Sequence, residues 1–324
     1  MTHARNILLI KTSSLGDVLH NLPAVTDICQ HFPAAQIDWV VEESFAALPR
    51  LHPKVCNIIP VAIRRWRKSW WNSRAEMKAI CQQLHQQHYD LTLDTQGLFK
   101  SALITRCVQS PYYGYDWQSA REPISSLFYD HKFTVSKSLH AVERNRQLAG
   151  LALGYAPQGG PDYGIHAPTL NLPWLPQAQA QPYIALLHAT SRDDKLWDEA
   201  NWIALGTQLA SDGYQLVLPW GNAKEQARSE RLAASIPNAI NPPRLNLTEA
   251  AALLGHARAV VGVDTGLSHL AAALNVPTIG IYTATDPSLT GLFAGVNAVN
   301  LGGKNISPTI AEVLMTLNKL LANA

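Results

Sequence analysis

A turn near the N-terminus combines small residues with one carboxylate. The apolar run NILLI is followed at once by KTSSLGDVLH, residues 11–20. Small residues after a buried strand allow the chain to turn tightly, and Gly16 allows another group to approach closely. Asp17 then stands at the start of a predicted helix, where an aspartate often serves as the N-terminal cap. We therefore consider two roles for Asp17, a helix cap and a general base.

A second polar turn, HATSRDDKLW, covers residues 188–197. Thr190 and Ser191 offer hydroxyl groups, and Lys195 offers an ammonium on a flexible side chain. This set of groups suits a phosphate oxygen better than a metal ion. The alternative is a solvated polar loop without a ligand.

The segment GVDTGLSHLAAALNVPTIGIY, residues 262–282, predicts a strand that leads directly into a helix. The helix N-terminus, the Thr265 hydroxyl and the compact Gly266 would form an anion site. His269 could donate to a phosphate, although a single histidine is often only structural. Asp264 would repel a phosphate, so we expect it to orient donors or to accept a bond from a sugar hydroxyl.

The segment IRRWRKSWWNSR, residues 63–74, carries five cations and three tryptophans. If it is helical, Arg64, Arg67, Lys68 and Trp71 share one face. Such a face suits phosphorylated headgroups above an apolar surface. The alternatives are a basic helix with its tryptophans in the core, or a nucleic-acid surface, for which no accompanying signature is present.

Short apolar runs alternate with longer amphipathic stretches along the chain, which predicts an α/β fold with parallel sheets covered on both faces. Predicted strands cover residues 6–11, 37–41, 58–63, 91–95, 183–189, 214–219, 259–263 and 278–282. Predicted helices cover residues 17–31, 75–88, 98–108, 138–154, 199–212, 223–236, 248–256, 267–275 and 308–322.

The chain is predicted to have two doubly wound domains. The first covers residues 1–155, and the second covers 183–324, with its last helix placed either there or back against the first domain. The connection, 156–182, is rich in proline, glycine and glutamine and has no periodicity. The default binding site is a cleft between the domains, at the carboxyl ends of the strands.

Composition excludes several classes of protein. Of the net charge of +2, residues 1–154 contribute +5 and residues 155–324 contribute −3, so an anionic partner is expected on the first half. The four cysteines form no CxxC, which favours reduced thiols in a soluble cytosolic protein over a zinc site or disulfide framework. Dinucleotide and P-loop fingerprints are missing, and no aspartate lies two residues from another, so no D-x-D motif could hold a metal-bound diphosphate.

Several motifs together resemble one known family. SSLGDVLHNLP, LPWG and DTGLSHL are similar to segments of the ADP-heptose:lipopolysaccharide heptosyltransferases of glycosyltransferase family 9. HATSRDDKLW, VAIRRWRKSWW, DTQGLFKSALITR and DWQSAREP resemble the members that add the first heptose. The resemblance implies a GT-B fold, with two facing Rossmann-like domains around a central cleft.

The resemblance also implies an activity. It implies inverting transfer of L-glycero-D-manno-heptose from ADP-heptose to the Kdo of Kdo-lipid A, without a metal or another cofactor. The implied location is the cytoplasmic face of the inner membrane of a Gram-negative bacterium, in peripheral contact with its anionic surface. Nucleic acid is not an implied partner.

The resemblance assigns roles to particular residues. It implies Asp17 as the catalytic base, with Lys195 meeting the charge that develops on the diphosphate. The implied donor-site residues are Thr190, Ser191, Lys195, Glu225, Asp264, Thr265, Gly266 and His269, with Leu245 near the adenine. The expected acceptor ligands are Arg64, Arg65, Arg67, Lys68, Lys100 and Arg121. Three alternatives stay open: transfer of a later heptose to a heptose acceptor, epimerisation of a nucleotide sugar, and a non-catalytic membrane or nucleic-acid adaptor built on the basic segment.

Overall fold

The chain folds into two compact units in a computed structural model, the first ending at Gly164 and the second beginning at Ile165. The structure describes residues 5–69, 71–175 and 182–323. Each unit contains one six-stranded sheet with helices.

The predicted connection, 156–182, begins as part of the first unit. The Arg146 guanidinium donates to the carbonyl oxygens of Gln158 and Gly159, at 2.9 and 3.1 Å. The described part of the connection contains neither helix nor strand, and residues 176–181 lie outside the described residues.

The first unit is built on a fully parallel sheet. Its strands are β1 (Asn6–Ile10), β2 (Gln36–Glu42), β3 (Val55–Val61), β4 (Leu91–Asp94), β5 (Tyr112–Tyr115) and β6 (His131–Phe133). They lie in the order β3-β2-β1-β4-β5-β6. Ile7 to Ile10 are completely buried, as expected for a central strand with both faces covered. The strand order reverses between β1 and β4, and ligands of such sheets bind outside the carboxyl ends at this point.

Among the described residues, six α-helices accompany this sheet. They are α1 (Leu15–Leu19), α2 (Leu22–His31), α3 (Ile63–Trp66), α4 (Arg74–Gln86), α5 (Phe99–Thr105) and α6 (Ala141–Leu153). The helix predicted over 17–31 is divided into α1 and α2. Pro23 lies in the first turn of α2, where its missing N–H costs nothing, whereas inside a continuous helix it would break a backbone hydrogen bond.

The segment 63–74, considered above as a possible helix, is not one continuous helix. Helix α3 ends at Trp66, and α4 begins only at Arg74. The Ser73 hydroxyl donates to the Ser69 carbonyl oxygen at 2.9 Å, a local bond that competes with regular helix. The condition for a shared helical face of Arg64, Arg67, Lys68 and Trp71 is therefore not met. Trp70, within this segment, lies outside the described residues.

The second unit repeats the topology of the first. Its strands are β7 (Tyr183–Leu187), β8 (Gln215–Val217), β9 (Ala239–Ile240), β10 (Ala259–Val263), β11 (Thr278–Tyr282) and β12 (Ala298–Gly302). Their order is β9-β8-β7-β10-β11-β12, again fully parallel, with the reversal between β7 and β10. The predicted fold class of two doubly wound parallel sheets is confirmed.

In the part of the second unit that the structure describes, there are five α-helices. They are α7 (Glu199–Ser211), α8 (Ala223–Ser235), α9 (Leu247–Gly255), α10 (Gly266–Ala273) and α11 (Ile310–Ala322). The last helix, α11, packs on this unit's own core through Val313, Leu317 and Leu320, which are buried in one cluster with Trp197 and Trp202.

The prediction of four reduced cysteines is wrong for one pair. Cys81 on α4 and Cys107, just after α5, form a disulfide with their Cα atoms 4.8 Å apart. The two residues are separated by 26 positions, so their spacing gave no sign that the helices bring them together. Cys29 and Cys56 are free thiols.

Candidate active site

The turn after β1 is fixed by a side chain from the turn after β4. The amide oxygen of Gln96 accepts from the backbone N–H groups of Thr12 and Ser13, at 2.9 and 3.1 Å. Gln96 in turn follows Asp94, whose carboxylate accepts from the Gln96 N–H at 2.7 Å. The two turns at the strand-order reversal of the first unit therefore form one polar network.

Asp17 lies at the third position of α1 rather than at its cap. Its Oδ2 accepts from the backbone N–H of Ser14 at 2.8 Å and from the Ser14 hydroxyl at 3.0 Å. The nearest cation is Arg121, whose Nη1 lies 3.6 Å from the same oxygen. The side chain of Asp17 is 25% exposed, so the carboxylate is held at the end of β1 and is still open to solvent. From this third position, the Asp17 side chain caps the backbone N–H of Ser14, and it is also accessible enough to act as a base.

Two buried ionisable groups lie beneath this turn. Lys11 donates to the Thr95 carbonyl oxygen at 2.7 Å, and burial lowers its pKa to about 8, although Asp17 and Asp94 act in the opposite direction. Burial raises the pKa of the Asp94 carboxyl above its ordinary value, and a hydrogen bond from the Tyr129 hydroxyl at 2.8 Å opposes that change. Both side chains are enclosed below the turn, so we assign them to its support.

Lys100 and Arg121 are the two acceptor candidates nearest Asp17. The Lys100 ammonium donates to the Ser13 hydroxyl at 2.9 Å. Partial burial lowers the pKa of Lys100, with Glu42 opposing the change. Arg121 contacts Asp17 and is largely exposed. A negatively charged ligand near Asp17 would meet both cations.

The four cations of residues 63–68 differ in their partners. The Arg65 guanidinium is bound by Glu43 and by Glu76, at 3.2 and 2.8 Å, so it is already neutralised within the fold. The Arg64 guanidinium lies over the Phe45 ring, 5.0 Å from its centre. Arg67 and Lys68 are exposed. Arg64, Arg67 and Lys68 are therefore better placed than Arg65 to receive an anionic ligand.

The carboxylate of Asp264, at the strand-order reversal of the second unit, is bound by two side chains. Asp264, the residue after β10, accepts at Oδ2 from the Lys195 ammonium and from the Thr285 hydroxyl, both at 2.7 Å. The Thr190 hydroxyl donates to the backbone carbonyl oxygen of Asp264 at 2.8 Å. Residues after β7, β10 and β11 thus meet at one point, and Lys195 brings a positive charge to it.

Helix α10 begins directly behind this carboxylate. Thr265 is its N-cap, in extended conformation, and Gly266 is its first residue. The Ser268 hydroxyl donates to the Val263 carbonyl oxygen at 2.8 Å, a bond that ties the first turn of α10 to β10. His269 is buried in the same turn. The first N–H groups of α10 thus lie beside the Lys195–Asp264 pair, an arrangement suited to an anion.

The remaining predicted donor residues lie on neighbouring turns of the same sheet edge. Ser191 is an exposed residue of the turn after β7. Glu225, in the first turn of α8, accepts from the Gly221 N–H at 2.7 Å and from the Asn222 side-chain amide at 2.6 Å. Leu245 is partly buried between β9 and α9. Carboxyl ends of parallel strands share one edge, so all these turns face the same side of the sheet.

The structure adds three residues that the motifs did not identify. Thr285 binds Asp264, Gln96 holds the turn of Ser13, and Lys11 is buried beneath that turn. Thr285 and Gln96 each follow a predicted strand, so polar residues at strand ends were the available signal. Lys11 also lies at the end of a predicted strand, but its burial depends on the packing of other elements and could not be predicted from that position.

No group of three or more His, Cys, Asp or Glu side chains suited to a metal ion occurs within residues 5–69, 71–175 and 182–323. The chemistry that the site residues themselves can provide is proton acceptance by a carboxylate and binding of phosphates by cations and amides.

Two parallel sheets, each with a strand-order reversal and polar turns at the carboxyl ends of the strands, define a doubly wound α/β protein. Comparison with known proteins gives the family. Residues 77–315 match the family model described as glycosyltransferase family 9 (heptosyltransferase). The chain belongs to glycosyltransferase family 9.

Relatives are similar over most of the chain. Lipopolysaccharide heptosyltransferase 1 of Escherichia coli (strain K12) is 49% identical over 290 residues, which cover 88% of this chain and 90% of that protein. The structure of E. coli heptosyltransferase WaaC with ADP matches with a TM-score of 0.89 and 43% identity, over 97% of this chain and 99% of that one. The structure of WaaC with ADP-2-deoxy-2-fluoro heptose matches with a TM-score of 0.87 and 43% identity, over 98% of this chain and 100% of that one.

Proposed function

We propose that this enzyme transfers L-glycero-D-manno-heptose from ADP-heptose to the Kdo of Kdo-lipid A, with inversion at the anomeric carbon. One observation carries the proposal: the likeness, over 98% of this chain, to a solved heptosyltransferase that holds an ADP-heptose analogue. The relative that is 49% identical is named for adding a heptose to lipopolysaccharide. We infer that the first unit binds the acceptor and the second binds the donor.

Asp17 is the base of the proposed reaction. Its carboxylate accepts the proton of an acceptor hydroxyl while that oxygen forms a bond to the anomeric carbon of heptose. The bond from that carbon to the diphosphate oxygen breaks, and ADP leaves with the bonding electron pair. Because a diphosphate is a good leaving group, a single carboxylate is sufficient, whereas glycosidases that cleave sugar–sugar bonds use two.

Lys195 and helix α10 bind the diphosphate in this proposal. The Lys195 ammonium is neutralised by Asp264 at 2.7 Å, and an arriving diphosphate would compete for that ammonium. Asp264 would then keep its bond from Thr285 and orient Lys195 toward the phosphate oxygens. The amides of Thr265 and Gly266, with the helix dipole, would meet the charge that develops as ADP leaves. Ser191, Glu225, Leu245 and His269 complete the proposed donor site.

The acceptor is proposed to bind along the basic surface of the first unit. Lys100 and Arg121 lie next to Asp17 and suit the Kdo carboxylate. Arg64, Arg67 and Lys68 are further candidates for the acceptor phosphates. Arg65, bound to two glutamates, is the weakest of the predicted ligands.

We further propose that the enzyme works at the cytoplasmic face of the inner membrane as a peripheral protein. No helix of the described residues is long and apolar enough to cross a bilayer. The exposed Arg67 and Lys68 beside the exposed Trp71 would suit an anionic lipid surface. We propose that the reaction requires no resident metal, since protein cations and amides can carry the diphosphate charge.

Mass spectrometry of the product tests the proposed function. The purified enzyme is incubated with ADP-heptose and either a Kdo-terminated or a heptose-terminated acceptor. We expect the mass of one heptose to be added only to the Kdo-terminated acceptor, and the same yield with a chelator present. Transfer to the heptose-terminated acceptor alone would show that the acceptor is a heptose rather than Kdo. A changed sugar nucleotide without transfer would indicate an epimerase.

A further inference from the structure

A cavity of about 830 Å³ lies within the first unit and reaches from Asp17 to the space between α4 and α5. Its volume is within the range typical of small-molecule sites, roughly 300–1,000 Å³. Ser13, Asp17, Lys100 and Arg121 lie along one part of its wall, and the rest of the lining is mainly apolar. The cavity is therefore continuous with the proposed acceptor site but is much less polar than a sugar requires.

The apolar stripe of α4 faces this cavity. Met77, Ile80, Cys81 and Leu84 recur at the three- and four-residue spacing that places them on one side of a helix, and all four line the cavity. Of all α4 residues, only Leu84 is buried. Such a stripe normally packs against a sheet, which would bury most of its members. Here Met77, Ile80 and Cys81 are only partly buried, and Met77 and Ile80 both pack against the core and line the cavity.

The opposite wall comes from α5. Phe99 and Leu103 line the cavity and are 40% and 45% exposed, so the cavity is open to the surface along this helix. Trp66 contributes a buried ring, held by a hydrogen bond from its Nε1 to Glu76 at 2.9 Å. Arg67 also lines the cavity, beside Trp66 in the chain. The site therefore has apolar walls, a surface opening and cations along its rim.

We propose that this cavity binds a fatty-acyl chain of the lipid acceptor. Apolar walls bind an alkyl chain, whereas the cations at the rim suit the phosphates and carboxylates of the same molecule. A lipid with an anionic sugar headgroup has both parts, and continuity with the Asp17 site would place its sugar at the base. The proposal rests on the proposed function, since it takes the acceptor to be a glycolipid.

Kinetics with two acceptors test the site. Both carry the same Kdo and phosphates, one with its amide-linked acyl chains and one fully deacylated, each below its aggregation concentration. Each methylene removed from water changes binding by roughly fourfold, so a bound chain should raise kcat/KM at least about tenfold. In Ile80→Trp, whose larger side chain would narrow the cavity, we expect the ratio of the two kcat/KM values to fall toward one.

A matched control separates cavity filling from general damage. Leu127 is 66% exposed and lies outside the cavity lining, so Leu127→Trp should keep the ratio of the native enzyme. A folding defect lowers both kcat/KM values and leaves their ratio unchanged. A native ratio near one, or a ratio that Ile80→Trp does not alter, would overturn the acyl-chain site.

A binding experiment separates this proposal from the proposed function. A brominated twelve-carbon fatty acid should quench native tryptophan fluorescence, and the quenching should decrease in Trp66→Phe but not in Trp117→Phe, whose ring is outside the cavity lining. Quenching that depends on Trp66 without transfer to any acceptor would support the cavity and refute the glycosyltransferase proposal. Quenching that is absent, or that does not depend on Trp66, would refute the cavity even if transfer occurs.

Discussion

The two units place different carboxylates at the same topological position. In the first unit, Asp17 follows the central strand β1 and is bound by Ser14, with Arg121 3.6 Å away. In the second, Asp264 follows β10 and is bound by Lys195 and Thr285 at 2.7 Å each. One carboxylate is open enough to accept a proton, and the other is occupied in orienting a cation. The same sheet topology thus holds an accessible carboxylate in one unit and a cation-bound carboxylate in the other, and we propose that the first is the base and that the second orients the cation of an anion site.

The residues directly after the first strand of each unit differ in charge. Lys11 follows β1 and His188 follows β7, and both are buried. Burial lowers the pKa of Lys11 to about 8, so it carries a charge at neutral pH, with Asp17 and Asp94 nearby. Burial lowers the pKa of His188 to about 4, so it is neutral there. A buried cation therefore lies beneath the turn of the first unit, whereas the cation of the second unit, Lys195, lies in the turn after β7 and is bound to Asp264.

The largest expected effect comes from removing the open carboxylate. In Asp17→Asn, the amide oxygen can still accept from Ser14 but cannot take a proton, so we expect kcat to fall by about 10²–10⁴-fold. Binding of ADP-heptose should be unchanged, as measured by calorimetry. The control is Asp264→Asn at saturating donor. If Asp264→Asn lowers kcat as much as Asp17→Asn does, the two carboxylates do not have different roles.

The next largest effect is expected when the Lys195–Asp264 ion pair is broken. Lys195→Ala removes the cation that we assign to the diphosphate and leaves Asp264 without its neutralising partner. Since hydrogen bonds to charged groups contribute about 1.5–3 kcal/mol, ADP should bind roughly 10- to 100-fold more weakly. The double variant Lys195→Ala/Asp264→Asn removes the repelling charge as well. We expect it to bind ADP more tightly than Lys195→Ala, and equal affinities in a titration would contradict this electrostatic account.

Lys11 gives the stability of the first unit a pH dependence. Its pKa is 10.5 in the unfolded chain and about 8 in the fold, so between these values the unfolded state holds more protons and stability rises with pH. From pH 7 to 9.5, the free energy of unfolding should increase by about 2 kcal/mol more in the native protein than in Lys11→Met. Urea unfolding of both proteins at the two pH values measures the difference. Equal pH dependence would mean that Lys11 is hydrated.

The sequence predicted the central strands and the turns that follow them. Runs such as NILLI and AVVGV are apolar at every position, and a strand buried on both faces requires this pattern. The strands β5, β6, β9 and β12 were missed. Their sequences are YYGY, HKF, AI and AVNLG, which are short or mixed in polarity. They lie toward the sheet edges, where neighbouring strands rather than local sequence decide the conformation.

The partners of charged side chains could not be predicted from spacing. Arg65 and Arg67 look equivalent in a run of cations, but Arg65 alone lies within reach of Glu43 and Glu76. Thr285 binds Asp264 from 21 residues away, and Gln96 binds Ser13 from 83. Such contacts depend on which strands become neighbours. The motifs therefore predicted which turns belong to the candidate site, and the fold determined which side chains in each turn remain available.

The smallest effect compares two arginines within the basic segment. Arg67 is exposed and lines the cavity beside Asp17, whereas Arg65 is bound to Glu43 and Glu76. Loss of a solvent-exposed charge contact costs up to about 1 kcal/mol, so Arg67→Ala should raise the KM for the acceptor roughly three- to fivefold. Arg65→Ala should leave that KM within about twofold of the native value, because its charge is already neutralised. Steady-state kinetics with varied acceptor measure both, and a larger KM change in Arg65→Ala would show that its bonds to the two glutamates are broken when the acceptor binds.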